Sequence, residues 1–137
     1  DIWATQVQSS VPITVNASFA AFPNPLLLGQ AGATCAFRDF PGAPVAGTWF
    51  PNAIANRNAG SDLLPTGSGD CSDPSDISAE FNSGADWYYG TDGVVPSGKV
   101  DFESVVLHEL GHGLGFFGSA STSGGSGSIG SGGFPYI

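Results

Sequence analysis

Alternating apolar and polar positions predict several short β-strands in the first part of the chain. The clearest alternation spans residues 11–19, where β-branched residues are frequent, and residues 77–81 repeat it. A shorter candidate strand covers residues 33–37, between two turn-rich stretches. Residues 45–56 fit either a strand or a short helix, because their apolar positions favour neither period. The pattern therefore predicts a small sheet of brief strands.

One long helix is predicted, beginning near Asp101 and ending at about Gly113 or Gly115. Asp is a favoured N-cap residue, and the residues after it have helical periodicity. The large apolar residues fill one arc of a helical wheel, namely Phe102, Val106, Leu107, Leu110 and Leu114. Small residues flank the opposite arc, which carries His108 and His112. We therefore expect this helix to anchor in a core by one face and to leave space beside the two histidines.

The segment after the helix differs in composition. Residues 118–133 are mostly Gly and Ser, which cannot bury enough apolar area to fold alone, so they predict a surface loop or a flexible tail. Two earlier segments, residues 61–75 and 86–98, are rich in turn-forming residues and predict loops.

Length and composition favour a single domain. The 137 residues are 41% hydrophobic and include ten Phe, three Trp and three Tyr, which is enough for a core. We expect a loop-rich α+β fold in which a small twisted mixed β-sheet packs on the helix. The expected order is sheet and loops in residues 1–100, the helix in residues 101–116, and the Gly- and Ser-rich segment in residues 117–137.

The charge balance argues against a nucleic-acid partner. Asp and Glu number twelve against three Lys and Arg, which gives a formal net charge of -9. Phosphate binding draws its affinity from Lys and Arg, and these are scarce here. No apolar run approaches the roughly 20 residues that span a bilayer, so no membrane partner is expected either.

Two cysteines, Cys35 and Cys71, bear on the compartment of the protein. The chain begins at Asp1 without Met or a basic-then-apolar leader, as expected of a processed, secreted product. An even cysteine count in an exported protein favours a disulfide. The alternative is a pair of buried free thiols in a cytosolic protein. A thiolate zinc site is disfavoured, because neither cysteine belongs to a C-x-x-C pair.

The predicted helix carries the H-E-x-x-H pattern, formed by His108, Glu109 and His112. Residues four apart lie one above the other on a helix, so both imidazoles can reach one zinc ion. Glu109 projects about 100° away and would face a zinc-bound water, from which it removes a proton as general base. Both histidines of the chain fall in the pattern, which favours function over a chance match.

The longer stretch from Val105 to Phe116 resembles the active-site helix of secreted zincin metalloproteases, in particular bacterial, metzincin-like ones. The similarity covers H-E-x-x-H-x-x-G, in which Gly115 ends the helix. The strand around residues 76–81 and the acidic, Gly-rich loop after it are also similar to the metzincin order of sheet, loop and helix. The resemblance implies a secreted, zinc-dependent endopeptidase. Its polypeptide substrate would add to an exposed strand edge, in a cleft between that edge and the helix.

The chain departs from the metzincin pattern at Gly118, where the family has a third ligand, His or Asp. No His, Asp, Glu or Cys follows His112, and the chain has no Met for a Met-turn. We therefore expect the catalytic domain to be incomplete at its C-terminus, with the third ligand beyond Ile137 or on a second chain. Less favoured alternatives are Tyr136, although a neutral phenol is a poor ligand, and the upstream carboxylate Asp101.

Other features leave alternatives open. Four carboxylates lie in or beside one loop and could bind calcium, namely Asp62, Asp70, Asp73 and Asp76. Their spacing matches no EF-hand, and solvated turn carboxylates are the plainer explanation. For the whole chain, the alternatives to a peptidase are a non-catalytic fragment that acts as a binding or structural module, and a zinc hydrolase of another amide or ester.

Overall fold

A computed structural model describes residues 2–64, 71, 73–130 and 134–136 of the chain. These residues form an α+β fold of several small sheets and few helices. The elements in chain order are α1 (Ile2–Gln6), β1 (Val15–Ala20), β2 (Gly29–Ala33), β3 (Ala36–Arg38), β4 (Trp49–Pro51), α2 (Asn52–Ala59), β5 (Ile77–Asn82), β6 (Trp87–Tyr88), β7 (Val100–Asp101), α3 (Phe102–Gly113), β8 (Ala120–Ser123) and β9 (Ser126–Ile129). No helix in the described part is long and apolar enough to cross a membrane.

The largest sheet has three strands in the order β1-β5-β2. Strand β5 pairs in parallel with β1 and antiparallel with β2, so the sheet is mixed, as predicted. The alternation read in residues 77–81 is confirmed, because Ile77, Ala79 and Phe81 are buried whereas Ser78 between them is exposed. This alternation gives the sheet one apolar face and one face open to solvent.

Helix α3 covers the apolar face of the sheet. Its first residue, Phe102, packs edge-on against Phe81 and Trp87, and Val105 and Val106 join the same cluster. At the other end of the helix, Leu114 is buried with Ile77. The apolar arc expected from the sequence therefore anchors the helix in the core, except for Leu107, whose side chain joins none of the described core clusters.

Both predicted ends of this helix are confirmed. Asp101 is the N-cap, and its carboxylate accepts hydrogen bonds from the backbone N–H and the hydroxyl of Ser104. After Gly113 the chain turns through Gly115, which has a φ of +102°. The N–H of Gly115 bonds to His112 O and that of Phe116 bonds to Gly111 O, the pairing of a Schellman motif.

A second, smaller layer contains the β3–β4 hairpin and α2. Residues 45–56, which fitted either a strand or a helix, contribute to both, because β4 runs directly into α2 at Asn52. Phe50 of β4 is buried edge-on against Phe40, and Ala55 of α2 completes this cluster. Cys35, just before β3, forms the predicted disulfide with Cys71, with the two Cα atoms 5.3 Å apart.

The N-terminal helix α1 was not predicted, since five residues are too few for a periodic signal. It packs against α3 and the turn that follows. Trp3 donates its indole N–H to Leu107 O over 3.0 Å and stacks on Phe116. The same indole lies 3.5 Å from where a side chain on Gly111 would begin. Trp3 therefore fills the space beside Gly111 that the helical wheel left open.

Two strand predictions need correction. The strand expected over residues 11–19 begins only at Val15, because the N–H of Thr14 donates to the Asp76 carboxylate at 2.8 Å. The strand expected over residues 33–37 is two strands, β2 and β3, which are separated at residues 34–35. The N–H of Thr34 donates to Asp76 O, and this bond turns the chain away from the sheet.

The Gly- and Ser-rich segment is not simply a loop or tail. Residues 120–123 and 126–129 pair as an antiparallel hairpin, β8–β9, and every residue of both strands is exposed. Backbone hydrogen bonds form this hairpin without any buried side chain, which is why composition did not reveal it. Residues 131–133 of the predicted segment lie outside the described residues, as do residues 65–70 and 72 of the predicted loop 61–75.

Candidate metal centre

The two imidazoles of the H-E-x-x-H pattern converge on one point. His108 and His112 stand one turn apart on α3, and their Nε2 atoms are 3.0 Å from each other. The rings are nearly perpendicular, with centroids 4.6 Å apart. His108 is exposed and His112 is half-buried, so a ligand can reach this point from solvent.

The backbone after the helix orients the His112 ring. Its Nδ1 lies 2.7 Å from the carbonyl oxygen of Phe116. A carbonyl oxygen can only accept a hydrogen bond, so Nδ1 carries a proton, and whenever the ring is neutral Nε2 presents a lone pair. The left-handed turn at Gly115 brings this carbonyl back over the ring. Metal-binding histidines usually donate a hydrogen bond of this kind from the ring nitrogen that does not bind the metal.

The separation of the two nitrogens fits a single zinc ion. Zinc–nitrogen bonds of 2.0–2.1 Å with tetrahedral angles place two ligand nitrogens roughly 3.4 Å apart, close to the observed 3.0 Å. The same distance also suits a hydrogen bond from a protonated His108 Nε2 to the His112 lone pair. The donor set and the fixed tautomer of His112 are therefore compatible with zinc, which would replace the proton between the rings.

Glu109 lies between the two histidines in sequence and is largely buried, with 8% of its surface exposed. Its side chain lies over β2, where a Cβ added at Gly29 would be 3.0 Å from Glu109 Cγ. No described residue donates a hydrogen bond to its carboxylate. The carboxylate is therefore held by packing and its lone pairs are available to a water molecule or a ligand.

A cleft of about 580 Å³ opens between the edge strand β2 and the end of α3. His112 lies in its wall together with Tyr136 and Phe117, and the opposite wall is made mainly of small residues. The lining residues on that side are Ala31, Gly32, Ala33, Cys35, Ala36 and Pro51. The cleft is wide and apolar, and it adjoins the histidine pair.

Tyr136, the low-ranked ligand candidate, is brought to the cleft by the C-terminal segment. Trp49 of β4 holds this segment in place. It forms a parallel β-bridge with Tyr136, and its backbone N–H donates a 2.9 Å hydrogen bond to Pro135 O. The Tyr136 ring stacks on Trp49 and packs edge-on against Phe117. Tyr136 thus shares a cleft with His112, while zinc ligation by its phenol stays a prediction.

The other upstream candidate, Asp101, lies at the far end of the helix from His112. It caps the first turn of α3, and its carboxylate is engaged by Ser104. Within the described residues, no group of three or more His, Cys, Asp and Glu side chains converges on one point. The third ligand expected from the sequence is therefore not identified in this part of the chain.

Three of the four carboxylates that suggested calcium accept hydrogen bonds from other residues of the chain. Asp76 is buried and accepts from Thr14 and Asn56, and Asp62 accepts from Asn56 and Leu64. The backbone N–H and then the hydroxyl of Ser75 lower the pKa of Asp73 by hydrogen bonding to its carboxylate. Asp70 lies outside the described residues. Calcium binding stays a prediction.

Sequence reasoning missed two residues beside the site. The Phe116 carbonyl has no side-chain signature. Only Gly115, three residues before the position where the metzincin pattern has its third ligand, hinted at a turn there. Gly29 gave no signal at all, because the contact that makes it notable joins residues distant in sequence.

Comparisons with known proteins give one partial match. A family model described as SPBPB7E8-like matches residues 72–124, which is less than half of the chain. The matched part runs from before β5 to the turn between β8 and β9 and contains His108, Glu109 and His112. No curated protein and no solved structure matches the chain.

Proposed function

We propose that this chain carries the zinc-binding catalytic part of a secreted endopeptidase. The observation that carries the proposal is the convergence of His108 Nε2 and His112 Nε2 at 3.0 Å, with the His112 tautomer fixed by the Phe116 carbonyl. A pair of histidines that merely filled space would not need both a shared focus and an oriented ring. The H-E-x-x-H sequence and its likeness to the zincin helix point the same way.

In this proposal the fold is zincin-like, with α3 as the active-site helix on a small mixed sheet. Strand β2 is the edge strand beside the cleft, and its outer backbone groups are available to an extended peptide. The small side chains of Ala31 and Ala33 let such a peptide approach the edge closely. The peptide would then pass beside His112.

Each residue has a defined part in the proposed hydrolysis. A bound zinc ion would supply the Lewis acidity that activates a water molecule and polarises the scissile carbonyl. His108 and His112 offer their Nε2 lone pairs, and the Phe116 carbonyl keeps the His112 proton on Nδ1. Glu109 accepts the proton of the attacking water and passes it to the leaving amine. The cleft walls orient the peptide.

The remaining parts of the proposal come from the sequence and the disulfide. The Cys35–Cys71 bond is compatible with secretion, because such bonds persist in oxidising compartments. The third zinc ligand is proposed to lie beyond Ile137 or on a second chain, with Tyr136 as the candidate within the cleft.

Metal binding is the first test. Zinc content and affinity would be measured after dialysis for the wild type and for His112→Ala. We expect His112→Ala to lose most of the zinc that the wild type binds, because it leaves His108 as the last histidine of the chain. Tight, stoichiometric zinc in the wild type would mean that the third ligand lies within these residues or on a second copy of the chain. Little zinc in the wild type would mean that two imidazoles alone bind it weakly, and would favour the non-catalytic module for this chain by itself.

Hydrolysis of a peptide library is the second test. Glu109→Gln is expected to keep zinc and to lower kcat by about 100-fold or more, because it removes the general base. Glu103→Gln makes the same change in the first turn of α3 and serves as the matched control. Equal turnover by Glu109→Gln and Glu103→Gln would rule out the assigned mechanism. Cleavage of esters or other amides without peptide cleavage would identify the hydrolase alternative.

A further inference from the structure

Gly29 of β2 lies directly against the side chain of Glu109. A methyl group at this position would be 3.0 Å from Glu109 Cγ and 3.4 Å from Cδ. Carbon atoms in favourable contact are about 3.5–4.0 Å apart, so the methyl group and the side chain cannot both keep their places. We propose that Gly29 is a positioning residue for Glu109, and that its missing side chain sets where the carboxylate lies relative to the histidines. The catalytic meaning of this placement rests on the proposed function.

The backbone conformation does not explain the glycine. Gly29 has no positive φ, unlike the glycines that end α2 and α3, so any residue could adopt its backbone angles. A glycine inside a strand weakens it, because it loses more chain entropy and offers no side chain to pack. Gly32 of the same strand has open space around it, which shows that crowding is not general along β2. Space for Glu109 accounts for Gly29.

The added methyl group would also meet Phe81, but Glu109 is the side chain that we expect to move. Gly29 is paired in register with Phe81, and the added methyl group would be 3.2 Å from Phe81 Cδ1. Phe81 is buried and packs edge-on against Phe102 at 5.1 Å, so the surrounding aromatic rings oppose its displacement. The Glu109 side chain can rotate more freely. Substitution at Gly29 should therefore displace the carboxylate by a few tenths of an ångström or more.

A double-mutant cycle on stability tests the contact without any assay of function. Gly29→Ala would be made in the wild type, in Glu109→Gln, which keeps Cγ, and in Glu109→Ala, which removes it. The contact with Phe81 and the change in chain entropy are common to all three backgrounds and cancel. We expect the Tm change caused by Gly29→Ala to be about 2–5 °C more unfavourable in the first two backgrounds than in Glu109→Ala. Gly32→Ala should show no such dependence.

The kinetic signature separates positioning from general damage. We expect Gly29→Ala to lower kcat about tenfold while the peptide KM and the zinc Kd stay within about twofold, because only the proton acceptor has moved. A matching rise in the zinc Kd would mean that the whole helix had shifted, and would overturn the proposal. Equal Tm changes in all three backgrounds would overturn it as well.

The two proposals fail separately. If the wild type binds no zinc and cleaves no peptide, the proposed function fails, whereas the Tm cycle still decides whether Gly29 positions Glu109. If the wild type cleaves peptide and the Tm cycle shows no coupling between Gly29 and Glu109, the proposed function is kept and the proposed role of Gly29 is wrong.

Discussion

Helices α2 and α3 have similar neighbours in the chain but differ in their N-caps and in the residues that they bury. Each follows a short strand, β4 or β7, and each is succeeded by a left-handed glycine, Gly60 or Gly115. Helix α3 presents an apolar stripe to the sheet and has a side-chain N-cap. Helix α2 has no side-chain cap and buries two asparagines, Asn52 and Asn56, beside its alanines.

The asparagines of α2 replace apolar packing with a hydrogen-bond network. Asn56 donates to the buried carboxylate of Asp76 over 2.9 Å and accepts from the N–H of Leu63. Asn52 donates to Thr34 Oγ1 at 3.0 Å. Such a network stabilises only when its partners are in place, and those partners are distant in sequence. A helix with an apolar stripe can therefore be found from local sequence, whereas a helix fixed by buried polar groups cannot.

Truncating the aromatic anchor of α3 should have the largest effect. Phe102 packs against the rings of Phe19, Phe81, Trp87 and Tyr89. We expect Phe102→Ala to lower the free energy of unfolding by about 4 kcal/mol, measured by urea denaturation, because it opens a cavity among these rings. Phe102→Leu keeps most of the volume and should cost only about 1.5 kcal/mol. Equal costs would show that cavity formation does not govern this helix.

Breaking the polar anchor of α2 should come next. Asn56→Ala removes the donor to Asp76 and should cost about 2–3 kcal/mol, because it leaves a buried carboxylate oxygen without that partner. Among the described residues, the side chain of Asn58 in the same helix accepts one hydrogen bond, from the exposed Arg57. Asn58→Ala is therefore the matched control, expected within about 0.5 kcal/mol of the wild type. If the two variants unfold at the same urea concentration, α2 does not depend on its polar network.

The two terminal glycines offer a closer comparison. Gly115→Ala and Gly60→Ala should each cost about 1 kcal/mol, because a side chain opposes the left-handed backbone. Only Gly115→Ala should also raise the zinc Kd, by about tenfold, since only that turn delivers the carbonyl that orients His112. Parallel urea denaturation and zinc titration of both variants would test this, and an equal rise in Kd would remove the link between the turn and the ring.

The smallest expected effect concerns the turn that leads to Asp76. Hydrogen bonds from Ser75 lower the pKa of Asp73 below its ordinary value of 3.8, so the ionised carboxylate stabilises the fold above that pH. The stabilisation is lost as the pH falls through the lowered pKa. Ser75→Ala should bring the pKa of Asp73 back towards 3.8 in an NMR titration. An unchanged pKa would mean that the Ser75 hydroxyl contributes nothing.

The sequence was most informative where one local signal was enough. It located α3 to within a residue at its start, identified Asp101 as the cap, and paired Cys35 with Cys71. It placed β5 closely, because strict alternation marks a strand with one buried face. It failed at the β8–β9 hairpin, where backbone pairing joins residues whose side chains are all exposed.

The sequence by itself determined the chemistry that the chain can offer: two histidines and a glutamate on one helix, few basic residues, and two cysteines. These depend on residue type and short spacing, which a single sequence contains. Only the tertiary structure decided that β2 borders the cleft, that the Phe116 carbonyl orients His112, and that Gly29 lies against Glu109. Such contacts join distant residues or backbone atoms, and packing density fixes them rather than any local pattern.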